Sequence, residues 1–385
     1  MNDPRHRSVP ARAHVSSAHS RRRPVGVTVE RVDLASRWAR MRFVRAGEQL
    51  DRQRGFRVGP SFVAETYRLD PHNSPALACT EAIGLLARVE GRLVGRMVAL
   101  RPSGGGEEGW FSRLEVQGGA PVLSALAAEG ARWVARGGGV RWSGPVGLMP
   151  GDVCGVQVDG FVGRRAGDLP RWPRDISESL STSGFTAARE TGFWLLPITS
   201  GKTTRTTRCR LETADLDLAD VDTCADIDWN DLLARLPAST DPVSRLTCAP
   251  DRLRHELLRN AIHGGVTYAS VGGMVAALGV LRPACSAVPG VQLPAWLTRL
   301  RQWKRRATAG EGQARIWTIA DHHTDPIVAA AVLDRLVRRA RTLGYRRLLV
   351  GPVATEADGV ITALRDRGAR IDCRFNVFAQ RIDRG

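Results

Sequence analysis

Two carboxylates stand where a strand-like run gives way to a turn. Glu115 ends Trp110-Phe-Ser-Arg-Leu-Glu115, and Asp321 follows Arg315-Ile-Trp-Thr-Ile-Ala320. A carboxylate held partly out of water at such a place can take a proton from an attacking amine; a solvated strand end is the plainer alternative. His322 and His323 follow Asp321 directly. Adjacent side chains on an extended chain point apart, so they are not read as a metal pair, although either imidazole alone could serve as a base. Cys154 has no histidine that the sequence assigns to it as a nucleophile's partner. A further group lies in residues 294–306, where Arg299, Arg301, Lys304, Arg305 and Arg306 are interleaved with Trp296 and Trp303. Basic side chains neutralise phosphates and exposed indoles stack on bases. On a helix, however, Trp296, Leu300 and Trp303 share one face, so a helix docking its tryptophans on the protein is the alternative.

The elements around these residues are written twice. In one copy a strand at 315–320 leads through the turn 321–326 into a helix. Val328, Val332, Leu333, Leu336 and Val337 give that helix its three-and-four spacing. Gly344 closes it, and a strand at 347–350 stops at Gly351-Pro352. Earlier, a strand at 110–115, a turn at 117–121, a helix at 122–135 and a strand at 140–142 stop at Gly144-Pro145. Each copy is preceded by a hairpin, one turning at Glu90-Gly91 and the other at Gly272-Gly273. Ordered matches at a nearly constant offset indicate duplication; an insertion near 284–313 in the second copy accounts for the difference in offset.

The chain of 385 residues, 43% hydrophobic, is long enough for two domains with cores of their own. The reading is a basic disordered tail at 1–26, a first domain at 27–197, a linker at 198–207 and a second domain at 208–385. Strands are also expected at 27–30, 193–196, 208–211 and 375–380. Helices are expected at 33–50, 175–183, 252–262 and 357–367. The segment 151–161, where aliphatic and polar residues alternate, reads as a shaped loop. Trp110, Trp133 and Trp317 are expected in cores. No apolar run reaches the roughly 18 residues of a membrane span. Seven scattered cysteines without a CxxC pair, and an N-terminus lacking an apolar signal core, point to a reduced, cytoplasmic protein. The net charge of +17 favours a polyanionic partner such as nucleic acid or a CoA-like nucleotide; an arginine-rich solvated surface is the alternative.

The order hairpin, strand, turn, long helix, strand resembles the GNAT acyltransferase fold, and two copies resemble its tandem form: an α/β chain of two twisted mixed sheets flanked by helices. In the first half the resemblance is carried by Arg42-Phe-Val, Leu69-Asp-Pro, Gly91-Arg-Leu-Val-Gly-Arg96, Gly109-Trp-Phe-Ser-Arg-Leu-Glu115, Ser143-Gly-Pro145, the 152–161 segment and Ser183-Gly-Phe-Thr186. In the second half it rests on element order. The resemblance implies an acyl-CoA turn between central strand and long helix, where glycines let backbone N–H groups reach a pyrophosphate. Gln117, Gly118, Gly119 and Ala120 would be that turn, in a degenerate form. The second copy has Asp321-His-His-Thr-Asp-Pro326, without glycine and with two carboxylates, and is not expected to bind CoA in the usual way. The resemblance further implies Glu115 as general base, with Asp321 its counterpart. Asp152, Cys154 and Asp159 would lie in the loop beside the acceptor. The tyrosine that GNAT enzymes often use as a general acid has no match in either late helix; Trp172, which stands near the place, cannot act as that acid.

Damaged turns, tandem copies and positive charge also resemble, at fold level, the Fem-type and other aminoacyl-tRNA-dependent transferases. The expectation is therefore an acyltransferase that takes an aminoacyl group from aminoacyl-tRNA, without a cofactor, and passes it to an amine or hydroxyl. The basic insertion would contact the tRNA. An acetyl-CoA-dependent N-acetyltransferase is the second expectation, and a non-catalytic GNAT-like nucleic-acid-binding protein the third.

Overall fold

The computed structural model describes residues 26–54, 62–148, 153–161, 169, 172–198, 216–220, 261, 265–272, 274–283, 311–318 and 325–382. The first half begins with β1 (Val27–Asp33), α1 (Arg37–Arg54), α2 (Phe62–Arg68) and the single turn α3 (Pro75–Ala78). β2 (Thr80–Val89) and β3 (Arg92–Pro102) make the expected hairpin, whose turn residues Glu90 and Gly91 take φ of 51° and 77°. Next come β4 (Glu108–Val116), α4 (Ala120–Ala135), β5 (Arg141–Gly144), β6 (Val156–Asp159), α5 (Ile176–Thr182) and β7 (Thr186–Pro197). The second half supplies β8 (Leu216–Asp220), β9 (Val266–Val271), β10 (Met274–Pro283), β11 (Glu311–Thr318), α6 (Pro326–Thr342), β12 (Arg347–Ala354), α7 (Asp358–Asp366) and β13 (Arg370–Arg381). Among the described residues no helix is long and apolar enough to cross a membrane.

Apolar spacing fixes which face each helix buries. On α4, Val122, Leu123, Leu126, Trp133 and Val134 pack against Leu85, Met97, Phe111 and Trp142. On the other face of the same strands, Phe43, Val44 and Leu50 of α1 meet Leu86, Leu93, Val98 and Trp110. In the second half, Val328, Val332 and Leu336 of α6 cover Ala277, Leu281, Ala314 and Ile316. Each such buried side chain contributes roughly 1.5–3 kcal/mol relative to exposure. Trp110 and Trp133 are buried as expected; the side chain of Trp317 lies outside the described residues.

The sheet does not divide where the chain does. β7, the last strand of the first half, pairs antiparallel with β12 of the second, from Arg347↔Pro197 to Ala354↔Thr191. β13, the last strand of the chain, returns to pair with β5 of the first half, from Phe378↔Gly144 to Arg381↔Arg141. The two exchanged strands also pair with each other, from Arg370↔Leu195 to Ala379↔Thr186. One mixed sheet of 13 described strands results, in the order β1-β2-β3-β4-β5-β13-β7-β12-β11-β10-β9-β8. The segment read as a shaped loop contains β6, which joins β13 through Asn376↔Val156 and Arg374↔Asp159. Its alternation of aliphatic and polar residues is that of a strand whose partner lies more than two hundred residues on.

A chain cut within the 199–207 segment tests this exchange. Each fragment should be largely unfolded when made alone, because its own sheet lacks the closing strand. The two should co-purify as a folded complex when expressed together. Circular dichroism and size-exclusion chromatography read the outcome, and two independently folded fragments would contradict the pairing.

Candidate active site

The parallel ladder between β4 and β5 is short, from Glu108↔Arg141 to Trp110↔Ser143. The Val146 N–H then donates to the Phe111 carbonyl (2.8 Å), and the Ser112 hydroxyl to the Val146 carbonyl (2.6 Å). Beyond that point the two strands part. β4 bulges against β3 between Arg96↔Glu115 and Val98↔Ser112, with Arg113 at φ 50°. The parted strand leads directly into the turn Gln117–Gly118–Gly119 and the first turn of α4.

That turn leaves the helix end open. Gly118 and Gly119 have φ of 98° and 65°. Gly119, with ψ of −149°, is the N-cap of α4 and supplies no side-chain cap. This is a backbone region that essentially only glycine occupies. A helix begins with N–H groups that have no partner within it and with a partial positive charge. Here neither a capping side chain nor an acidic residue in the first turn answers them. The corresponding helix of the second copy differs. The Asp325 carboxylate caps α6 by accepting the Ile327 N–H at 2.8 Å, and a Cβ on Gly359 of α7 would meet the Asp325 backbone at 2.7 Å. One copy thus presents a helix N-terminus to an outside anion, while the other fills its own.

Beneath the open turn lies a buried ionic cluster. Arg96 reaches from β3 to Glu115 of β4 (Nη2 to Oε1, 2.6 Å) and to Glu65 of α2 (2.8 Å), and donates to the Phe43 carbonyl of α1 (3.2 Å). Arg54, at the end of α1, lies 3.7 Å from the other oxygen of Glu115 and donates to the Val116 carbonyl (2.8 Å). The Gln117 amide donates to the Leu50 carbonyl at 3.1 Å, a second tie between α1 and the turn. Glu115, Arg96 and Glu65 are 3%, 1% and 2% exposed. Burial pushes the Glu115 carboxyl up, with the charge of Arg96 pulling it back. Burial alone would lower the Arg96 pKa, but Glu115 and Glu65 outweigh it and hold the guanidinium firmly charged. Burial lowers the Arg54 pKa, with Glu115 and Asp51 opposing. Room for the Arg96 guanidinium is made by Gly47, where a Cβ would stand 2.0 Å from its central carbon.

The structure therefore brings Glu115, Gln117, Gly118, Gly119 and Ala120 together at one corner. Glu115 is turned inward onto two arginines rather than outward to an acceptor. Cys154 is buried as well, and its sulfur accepts the Gly147 N–H at 3.3 Å. Asp159 is exposed at the end of β6, where its carboxylate accepts the Gly160 N–H at 2.7 Å. Asp152, Asp321, His322 and His323 lie outside the described residues, as do Arg299, Arg301, Lys304, Arg305 and Arg306. The expected 208–211 strand lies outside them too, as does the 252–262 helix apart from Ala261. Sequence reading missed Arg96, Glu65 and Arg54. The signal for Arg96 was its place as the one charged residue in the apolar run Leu93-Val-Gly-Arg-Met-Val-Ala-Leu100.

No protein-family model matches the chain, and no curated protein matches its sequence. Solved structures do match. One is described as a tandem GNAT protein from the clavulanic acid biosynthesis pathway, without AcCoA. It is similar over 94% of this chain and 100% of that one, with 12% identity and a TM-score of 0.52. Another is a GCN5-related glucosamine N-acetyltransferase region of a fungal multi-domain GH3 β-N-acetylglucosaminidase, with 13% identity and a TM-score of 0.55. That match covers 93% of this chain and 38% of the other. At such identities the likeness is one of fold: this chain has the GNAT fold in two tandem copies.

The ionic cluster makes a stability claim. Replacing Glu115 by glutamine (E115Q) leaves Arg54 buried without its carboxylate and removes one of the two that face Arg96. It should lower the unfolding free energy by about 3 kcal/mol. Urea unfolding of E115Q beside the wild type measures this; an unchanged midpoint would mean that Glu115 does not hold the corner.

Proposed function

From two GNAT copies in one chain, we propose an acyl-CoA-dependent acyltransferase whose donor is seated by the first copy. The acceptor is an amine or hydroxyl. The observation that carries this reading is the contrast between the two helix starts: α4 begins at glycines without a cap, and α6 begins at its own carboxylate. A pyrophosphate set against Gly118, Gly119 and Ala120 would receive backbone N–H groups and the positive end of α4. The acyl arm would then run along the side of β4 from which β5 has parted, placing the thioester near the bulge at Arg113. The acceptor's nitrogen or oxygen attacks the thioester carbonyl carbon; the new bond to that carbon forms as the C–S bond breaks. The acceptor's proton is lost and the departing sulfur takes one up.

In this reading Glu115 is a positioning residue. Its carboxylate is already committed to Arg96 and Arg54, and through them it fixes the height of Val116 and Gln117 beneath the donor. The names of the similar structures, one of them an N-acetyltransferase region, support CoA as the donor over aminoacyl-tRNA. What supports aminoacyl-tRNA is the net charge of +17, together with the basic insertion at 284–313.

Acetyl-CoA at about a hundred times its dissociation constant should stabilise the wild type by about 2.7 kcal/mol, visible as a raised melting temperature. An Ala120→Asp substitution copies the second copy's arrangement by putting a carboxylate at the start of α4. It should fold, since an acidic first turn suits the helix dipole, and should lose most of that rise. A wild type unmoved by acetyl-CoA, but able to consume aminoacyl-tRNA, would overturn the CoA reading.

A further inference from the structure

The second copy carries a cationic cavity that the acyl-transfer reading does not use. It has a volume of about 180 Å³ and lies where the C-terminal half of α6 passes the start of β9. Its walls are Arg335, Arg338 and Arg339, the side chains of Thr267 and Thr342, Gly265 and part of Leu336. No carboxylate is among these lining residues.

Three arginines at positions i, i+3 and i+4 of one helix repel one another, and such pairs weaken a helix. The helix dipole explains a cation at Arg339, in the last turn of α6. It does not explain Arg335, a turn earlier yet lining the same cavity. Arg338 is exposed and Arg335 and Arg339 are half-buried, so the guanidinium groups stand at the mouth and along the wall. Guanidinium forks match phosphate oxygens two at a time, and threonine hydroxyls donate to the oxygens that remain. A phosphoryl group, carrying more than one negative charge, fits three cations better than a single carboxylate does.

We propose that this cavity binds a phosphoryl group. The site is separate from the open turn of α4: in the sheet order β9 stands next to the β8 edge, while β4 and β5 stand on the far side of the exchanged strands. The group can come from a small phosphorylated ligand or from a nucleic-acid backbone, and two probes separate these sources. Inorganic tripolyphosphate is titrated calorimetrically into the full-length protein, and a short fluorescein-labelled single-stranded RNA is followed by anisotropy.

Wild type should bind tripolyphosphate, and the double variant R335Q/R338Q should bind it at least about tenfold more weakly. The control R346Q/R370Q removes two arginines of the same half that do not line the cavity, and should keep wild-type affinity. Should the first variant fail to fold, T342V is expected to weaken binding several-fold by removing one hydroxyl donor. RNA binding that depends on Arg335 and Arg338 assigns the phosphoryl group to a nucleic-acid backbone. Tripolyphosphate binding alone, with the same dependence, assigns it to a small ligand. The proposal fails if wild type binds neither probe, or if both double variants lose affinity alike, which would mark general attraction to a basic protein.

Discussion

Neither half of this chain closes its own sheet. The strand that should end the first copy, Thr186–Pro197, is built into the second, and the strand that ends the chain, Arg370–Arg381, is built into the first. Everything between the two copies follows from that exchange. Phe378, brought by the returning strand, is part of the core under the long helix of the first copy. Trp194 and Leu196 complete the core of the second. The seam is an unbroken antiparallel ladder rather than a surface contact. Backbone hydrogen bonds across such a seam have no water to fall back on once buried, so the halves are bound to fold as one unit.

Within that shared frame the two copies have drifted in one chemically decisive place. Both have a parallel pair of strands that part, and both set the N-terminus of a long helix beside the opening. In the first copy Gly118 and Gly119 shape a bare helix start, and Arg54 and Gln117 anchor it from below. In the second, Asp325 answers the helix start from within the chain. A single carboxylate is enough to exchange an anion seat for a structural cap, because both satisfy the same unpaired N–H groups. This supports assigning the donor to one copy and leaving the other free for other work, such as its arginine-lined cavity.

Local signals carried much of the fold. The three-and-four spacing from Val328 to Val337 and the Glu90-Gly91 turn found their elements in place, as did both Gly-Pro stops. The exchange of last strands was not legible, since nothing in Phe193-Trp-Leu-Leu196 distinguishes a neighbour in one half from a neighbour in the other. The turn residues at the candidate site were legible because glycine there has a backbone reason. The surroundings of Glu115 were not. Its place at the end of a strand suggested an outward carboxylate, but strand parity sends it to the face where Arg96 and Arg54 wait. Those partners lie 19 residues away in the case of Arg96 and a helix away in the case of Arg54, beyond the reach of any local pattern.

The most direct measurement is amide hydrogen exchange with and without saturating acetyl-CoA, read at the starts of the two long helices. Gly118, Gly119, Ala120 and Val122 should become protected when the donor is added, and Ile327 and Val328 should stay as they were. Protection at Ile327 and Val328 instead, or no change at either helix, would contradict the assignment of the donor to the first copy.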